Sequence, residues 1–83
     1  MEKVNYIWIT WESSSGSAHS MLWYNGYCSY AEAKRAIDGT DTVALFKASP
    51  SWMNCVRVRM TAQNLHTGNT LYKRVITKRP HLD

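Results

Sequence analysis

A short predicted helix in the middle of the chain constrains the fold more than any other segment. Ser29 and Glu32 fit a capping box, in which the serine hydroxyl accepts from the Glu32 amide and the Glu32 carboxylate reaches back to Ser29. Ala33 and Ile37 provide an apolar stripe, and Gly39 provides a stop that can take the left-handed conformation. A helix of two to three turns is unstable alone, so we expect it to pack on a sheet.

The remaining regular segments are rich in β-branched and aromatic residues, which predicts strands. Five are predicted, at residues 4–12, 21–27, 42–48, 52–62 and 70–78. The first two are joined by a mobile Ser/Gly-rich connection at residues 13–20, and the last two by a hairpin with its tip at Gly68-Asn69. Short hairpin connections join antiparallel strands. The predicted fold class is therefore α+β, with an antiparallel sheet of about five strands, one short helix packed on one face, and the order ββαβββ.

The first predicted strand has apolar side chains on both of its faces. Tyr6 and Trp8 alternate with Ile7, Ile9 and Trp11, which is typical of a central strand that is covered on both sides. Core burial is the better interpretation for three of the tryptophans, which are Trp8, Trp11 and Trp23.

The length of 83 residues predicts a single domain, residues 1–83, with one small core. Cys28 and Cys55 form no paired motif, so we interpret them as reduced, with a single disulfide as the alternative. No apolar signal-peptide core and no run long enough to cross a bilayer is found, which favours a cytoplasmic location without membrane contact.

The residues that catalysis or metal binding requires are scattered. Ser13 and its neighbours precede His19 in a flexible predicted segment, and no carboxylate is placed to orient the histidine. The six carboxylates include one in a cap and two at the termini. The histidines and cysteines form no pair with metal-ligand spacing, and no glycine-rich phosphate loop occurs. We therefore predict a protein that is not an enzyme, with no metal and no cofactor.

Positive charge is concentrated near the C-terminus. From residue 57 to the end there are six basic residues and one acid. The basic residues are Arg57, Arg59, Lys73, Arg74, Lys78 and Arg79. On the predicted hairpin, the two arginines share a face, and the register decides whether Lys73 or Arg74 lies beside them. Such a patch can bind phosphates or an acidic protein surface, although the same charges can simply protect an exposed strand from edge pairing.

Two aromatic residues accompany this charge. Tyr72 lies within the basic hairpin, and Trp52 precedes its first strand. A ring beside arginines can stack on a base, and it can equally fill a small core. We include Trp52 and Tyr72 with the basic residues as candidate binding residues.

The first 40 residues resemble a known layout. An aromatic strand, a Glu-Ser-Ser turn, a second strand and a helix that opens with Ser29-Tyr30-Ala31-Glu32 are similar in plan to small phage-encoded host-takeover proteins, such as the podoviral inhibitor of bacterial RNA polymerase, and to some anti-CRISPR proteins. The basic hairpin departs from that pattern, and no functional residue of those families maps onto this chain. The resemblance implies a bacterial-virus protein that blocks a large host machine in the host cytoplasm.

Two functional hypotheses follow. The first is a phage-type inhibitor, monomeric or a small homo-oligomer, whose basic hairpin occludes a surface of a host protein or ribonucleoprotein complex such as a CRISPR effector or RNA polymerase. The second is a small nucleic-acid-binding protein that uses the same residues on the phosphates and bases of DNA or RNA. A subunit of a host complex or a toxin–antitoxin partner would have a similar sequence, and self-association through an edge strand fits each of these.

Overall fold

The computed structural model describes residues 3–78. Four strands and two helices follow one another along these residues. They are β1 (Val4–Ser13), β2 (Ala18–Cys28), α1 (Tyr30–Asp38), α2 (Thr42–Lys47), β3 (Cys55–Gln63) and β4 (Thr70–Thr77).

The strands form one antiparallel sheet in the order β2-β1-β3-β4. β1 is therefore central, as predicted, and β2 and β4 are the edges. The prediction of an α+β class with an antiparallel sheet is confirmed. The β3–β4 hairpin turns through residues 64–69, where Gly68 has a φ of +74°, which is the left-handed conformation that glycine adopts without strain.

Alternation along β1 and β3 gives these two central strands one buried face. Ile7, Ile9 and Trp11 of β1 lie opposite Ala62, Met60 and Val58 of β3, and all six side chains are buried. The helices cover this face, with Ala33 and Ile37 of α1 and Leu45 of α2 completing the core. Neighbouring residues on each strand point to opposite faces, so the residues between these six lie on the other side.

α1 begins with the predicted capping box. The Glu32 amide donates to Ser29 Oγ at 3.1 Å, and the Ser29 amide donates to Glu32 Oε1 at 3.1 Å. Gly39 ends the helix with a φ of −83°, in the right-handed region. The expectation of a left-handed glycine at this end is therefore wrong.

The predicted third strand, residues 42–48, is instead the helix α2. Asp41 caps it by accepting from the Val43 amide at 3.0 Å, and Trp11 Nε1 donates to the Leu45 carbonyl at 2.8 Å. A short apolar run fits a strand or one face of a helix equally well, and the cap at Asp41 decides between them. The sheet thus has four strands rather than five, and the order is ββααββ.

The Ser/Gly-rich segment is shorter as a connection than predicted. The Ser13 amide donates to the Ser17 carbonyl at 2.8 Å, and the Ser17 amide donates to Ser13 Oγ at 3.0 Å. This closes a tight turn, and β2 begins directly after it at Ala18. Hydroxyl side chains that bond the backbone make such turns without a packed core. After the connection that follows α2, β3 begins at Cys55, three residues later than predicted.

The tryptophans of the sheet differ in burial. Trp11 is buried as predicted, but Trp8 is only half-buried and Trp23 is 41% exposed. The prediction that β1 is covered on both sides is wrong, since both helices lie on one face.

Cys28 and Cys55 are free thiols. Among residues 3–78, no helix is long and apolar enough to cross a membrane.

Candidate binding surface on the open face of the sheet

The face of the sheet opposite the helices presents polar, basic and aromatic side chains. We call it the open face. Its positions follow from the strand register: Trp8 lies between Leu22 and Thr61, Thr10 between Ser20 and Arg59, and Glu12 beside Arg57. On β4, Lys73 pairs with Thr61 and Val75 pairs with Arg59. The open face therefore includes Tyr6, Trp8, Thr10, Glu12, Ser20, Leu22, Arg57, Arg59, Thr61, Gln63, Lys73 and Val75.

A shallow groove of about 350 Å³ lies on this face. It crosses all four strands, and its walls are mainly hydroxyl, amide and basic groups. The lining residues are Trp8, Thr10, Ser20, Arg59, Thr61, Gln63, Thr70 and Lys73. Within it, the Thr10 and Ser20 hydroxyls hydrogen-bond to each other at 2.9 Å. Such a lining offers donors and acceptors along an extended path and little apolar enclosure.

One carboxylate lies among the cations of the open face. Arg57 Nη2 is 3.3 Å from Glu12 Oε2, and Arg59 Nη1 is 3.8 Å from Glu12 Oε1. Both arginines remain about half exposed, at 49% and 42% of their side chains. Lys73 is exposed on the same face. Glu12 thus holds the two guanidinium groups in place and cancels part of their charge, while the face stays positive.

Two aromatic rings of β1 add to this surface. The Tyr6 and Trp8 ring centroids are 6.3 Å apart, with an interplanar angle of 52°, and both residues are half-buried. Sequence reasoning assigned Trp8 to the core and did not propose Tyr6 for binding. The sequence signal that could have identified both residues is the alternation of side chains along a strand, which places both rings on the same face of β1 as Glu12.

Of the predicted binding residues, the open face brings together Arg57, Arg59 and Lys73. Arg74 lies on the helix side, opposite Met60. Its Nη1 donates to the carbonyls of Ile37 at 2.9 Å and Thr40 at 3.2 Å. The Ile37 carbonyl belongs to the C-terminal end of α1, which carries partial negative charge, and Thr40 follows directly after the C-cap Gly39. Arg74 therefore fastens α1 to β4.

Tyr72 also lies on the helix side, within a small polar network. Its hydroxyl donates to the Asp38 carboxylate, and Lys34 Nζ reaches the same carboxylate at 2.8 Å and lies 5.1 Å from the Tyr72 ring centroid. The hydrogen bond from Lys34 is the main reason that the pKa of Asp38 is lowered, and the hydrogen bond to Asp38 raises the pKa of Tyr72. The Tyr30 ring packs edge-on against Tyr72 at 6.0 Å.

Two further predicted residues, Trp52 and Lys78, do not line the groove. Trp52 is 67% exposed in the connection between α2 and β3. Lys78 follows β4, where its amide donates to the Val56 carbonyl at 2.8 Å. Arg79 lies outside the described residues.

The residues considered for catalysis have other contacts. The Ser13 hydroxyl bonds to the Ser15 hydroxyl at 2.8 Å, and the His19 ring stacks on Trp11 at 5.9 Å. Within residues 3–78, no group of three or more His, Cys, Asp or Glu side chains could hold a metal ion.

Comparisons of the chain with protein-family models, curated proteins and solved structures found no match.

Proposed function

We propose that the protein acts by binding, without catalysis, and that it docks the open face of its sheet on a surface of a larger assembly. The observation that carries this proposal is that Trp8, Arg57 and Arg59 meet on one uncovered sheet face. Trp, Tyr and Arg are the residue types that dominate the energetics of protein interfaces.

The dimensions of the molecule fit such a role. Its principal extents are 40 × 22 × 15 Å, so its broad side is close to the roughly 800 Å² that each partner buries in a standard interface. The two arginines that Glu12 orients are pre-organised for an acidic partner, which lowers the entropic cost of binding. With the resemblance to phage host-takeover proteins, these features support an inhibitor that occludes a host machine in the bacterial cytoplasm.

The test uses charge reversal with a matched control. R57E/R59E changes the open face, and R35E/K47E makes the same change in net charge on the two helices, where both residues are exposed. Binding of each variant to purified bacterial RNA polymerase and to purified CRISPR effector complexes is measured by biolayer interferometry. We expect R57E/R59E to weaken binding at least about tenfold, a loss of about 1.4 kcal/mol, and R35E/K47E to leave it nearly unchanged. Equal effects would contradict the assignment of this face, and binding to none of these complexes would exclude these targets.

A second candidate function is binding of single-stranded nucleic acid. The favouring observation is the Tyr6–Trp8 pair beside Arg59 and Lys73, since aromatic rings next to cations form a stacking platform for bases. Fluorescence anisotropy with labelled random DNA and RNA tests it at about 50 and 200 mM salt, between which phosphate-driven binding falls steeply. Salt-sensitive binding that is lost in W8A would make nucleic acid the partner. No binding at the lower salt would exclude it.

A further inference from the structure

A second cavity, of about 450 Å³, lies on the helix side of the sheet between β2 and α1. It is separate from the open face. Three aromatic residues line it, Trp23, Tyr24 and Tyr27, together with Glu32. Ala33 and Ala36 of α1 form its floor on the helix side, where their small side chains leave space.

Two irregularities in β2 bring these rings together. Ile7 pairs with Tyr24 while the next residue, Trp8, pairs with Leu22, so Trp23 is an extra residue in β2. A second extra residue follows, because the pairs Tyr6–Asn25 and Val4–Cys28 span two steps of β1 and three of β2. In a regular strand, neighbouring side chains point to opposite faces. Here Trp23 and Tyr24 both line the cavity, which is the re-aiming that β-bulges produce next to functional sites.

The Tyr24 ring is held in position. Its hydroxyl donates to the Tyr27 carbonyl at 2.9 Å, and a Cβ at Gly26 would come within 3.1 Å of the Tyr24 hydroxyl oxygen. Glycine at this position therefore keeps room for the ring. Trp23 and Tyr27 are 41% and 69% exposed, so the cavity is open to a ligand.

Glu32 supplies the single charge of the cavity lining. The hydrogen bond from the Ser29 amide is the main cause that lowers the pKa of Glu32, and Lys3 and Arg35 lower it further. The carboxylate is thus ionised at neutral pH. Within the lining itself, the Glu32 carboxylate is the charged group that can pair with a cationic ligand.

Aromatic faces attract cations through the ring quadrupole, and quaternary ammonium groups are recognised by several rings arranged together. A methylated ammonium also presents methyl groups to the rings and has few or no N–H donors to satisfy. From the three rings and the carboxylate around one cavity, we propose that this site binds a methylated ammonium group, carried by a small choline-type molecule or by a methylated lysine of a protein partner.

The first experiment compares choline with 3,3-dimethyl-1-butanol, a neutral molecule of the same shape, in titrations followed by two-dimensional ¹H–¹⁵N NMR. We expect saturable binding of choline with a dissociation constant of about 1 mM or below. The Trp23 indole and the Glu32 amide should shift, and the neutral molecule should bind at least about fivefold more weakly, in line with a cation–π contribution near 1 kcal/mol. Equal affinity for the two molecules would overturn the assignment of a cationic ligand. If neither molecule binds, and the trimethyllysine peptide described next does not bind either, the proposed site is wrong.

A short peptide that contains trimethyllysine, compared with the same peptide containing unmodified lysine, distinguishes the two sources. Tighter binding of the methylated peptide than of choline assigns the site to a protein side chain. Tighter binding of choline assigns it to a free small molecule.

Variants test the residues separately. E32Q keeps the capping box, which glutamine also forms, but removes the charge. A36L fills the cavity and leaves all three aromatic residues in place. We expect E32Q to weaken choline binding by about twofold to fivefold, as is usual for loss of an exposed ion pair, and A36L and W23A to abolish it. W52A removes an exposed tryptophan elsewhere and should leave binding unchanged. An unchanged affinity in E32Q, or equal losses in W23A and W52A, would contradict the proposal, and circular dichroism checks that each variant folds.

Discussion

Lys73 and Arg74 are neighbours on β4, yet their side chains lie on opposite faces of the sheet and have different roles. Lys73 lines the groove of the open face. Arg74 donates hydrogen bonds to carbonyls at the C-terminal end of α1. β1 repeats this division, because Trp11 is buried under α2 whereas Trp8 lies half-buried in the groove. Residue type alone therefore does not distinguish the side chains that hold the fold together from those on the proposed binding face. The period of two does.

The largest effect that tests this comparison is expected at the tryptophans of β1. Trp11 is 2% exposed, and its indole donates to the Leu45 carbonyl at 2.8 Å. We expect W11A to lower the free energy of unfolding by about 3–5 kcal/mol, as is usual for loss of a buried aromatic ring, and W8A to lower it by less than half as much. Urea denaturation measures both values.

Because a loss of that size approaches the whole stability of a small domain, W11F is the milder variant for the same comparison. It keeps most of the ring volume and removes the hydrogen bond that anchors α2. Equal destabilisation by the Trp8 and Trp11 variants would show that the two faces are not divided as described.

The next largest effect is expected at Arg74. R74A leaves the carbonyls of Ile37 and Thr40 without their charged donor, so we expect a loss of about 1–3 kcal/mol from the free energy of unfolding. K73A is the matched control on the neighbouring residue and should change stability by less than about 0.5 kcal/mol. In binding assays the order should reverse, with K73A the more harmful of the two. A destabilising K73A would contradict the separation of roles.

The sequence indicated much of this arrangement, and the missing parts have identifiable causes. Alternation in residues 56–60 placed Arg57 and Arg59 together, and the Ser29–Glu32 pattern placed α1. The roles of Lys73 and Arg74 depended on the register of β4, which turn chemistry alone left open. Trp8 was misassigned because apolar side chains on both faces of a central strand usually indicate that both faces are covered. The sequence does not show that both helices pack on the same face.

The second cavity was not predictable from the sequence for a related reason. A β-bulge breaks the alternation on which strand reading depends. The pair Asn25-Gly26 is typical of a bulge or bend near the end of a strand, but it does not indicate that Trp23 and Tyr24 line one cavity. Trp23 was therefore interpreted as a core residue.

A smaller effect is expected from the polar network on the helix side. The pKa of Asp38 is lowered from its ordinary value of 3.8, mainly by the hydrogen bond from Lys34. Its contribution to stability is thus present above pH 3.8 and is lost as the pH falls through the lower folded value. We expect the difference in stability between wild type and D38N to shrink as the pH falls below about 4.

Denaturation at neutral pH and at two acidic pH values measures this difference. K34M removes the hydrogen bond that is the main cause of the lowered pKa of Asp38, so it should reduce the same pH dependence of stability. A difference between wild type and D38N that stays constant with pH would show that Asp38 acts only as a neutral hydrogen-bond partner of Tyr72.

The smallest effect is expected at Glu12, and it decides between the two candidate functions of the open face. E12Q removes the one carboxylate that lies between Arg57 and Arg59, which raises the positive charge of the groove but releases the two guanidinium groups. A nucleic-acid partner responds mainly to charge, so its affinity and its salt dependence should both rise, by about twofold to fivefold in affinity at low salt. A protein partner that recognises the oriented arginines should instead bind E12Q more weakly, because binding must then also order both side chains, which costs entropy.

Anisotropy with random DNA and RNA measures the change in nucleic-acid affinity, and interferometry with the protein complex measures the change in protein affinity. A gain in both assays would mean that Glu12 only weakens the field of the face and does not orient its arginines.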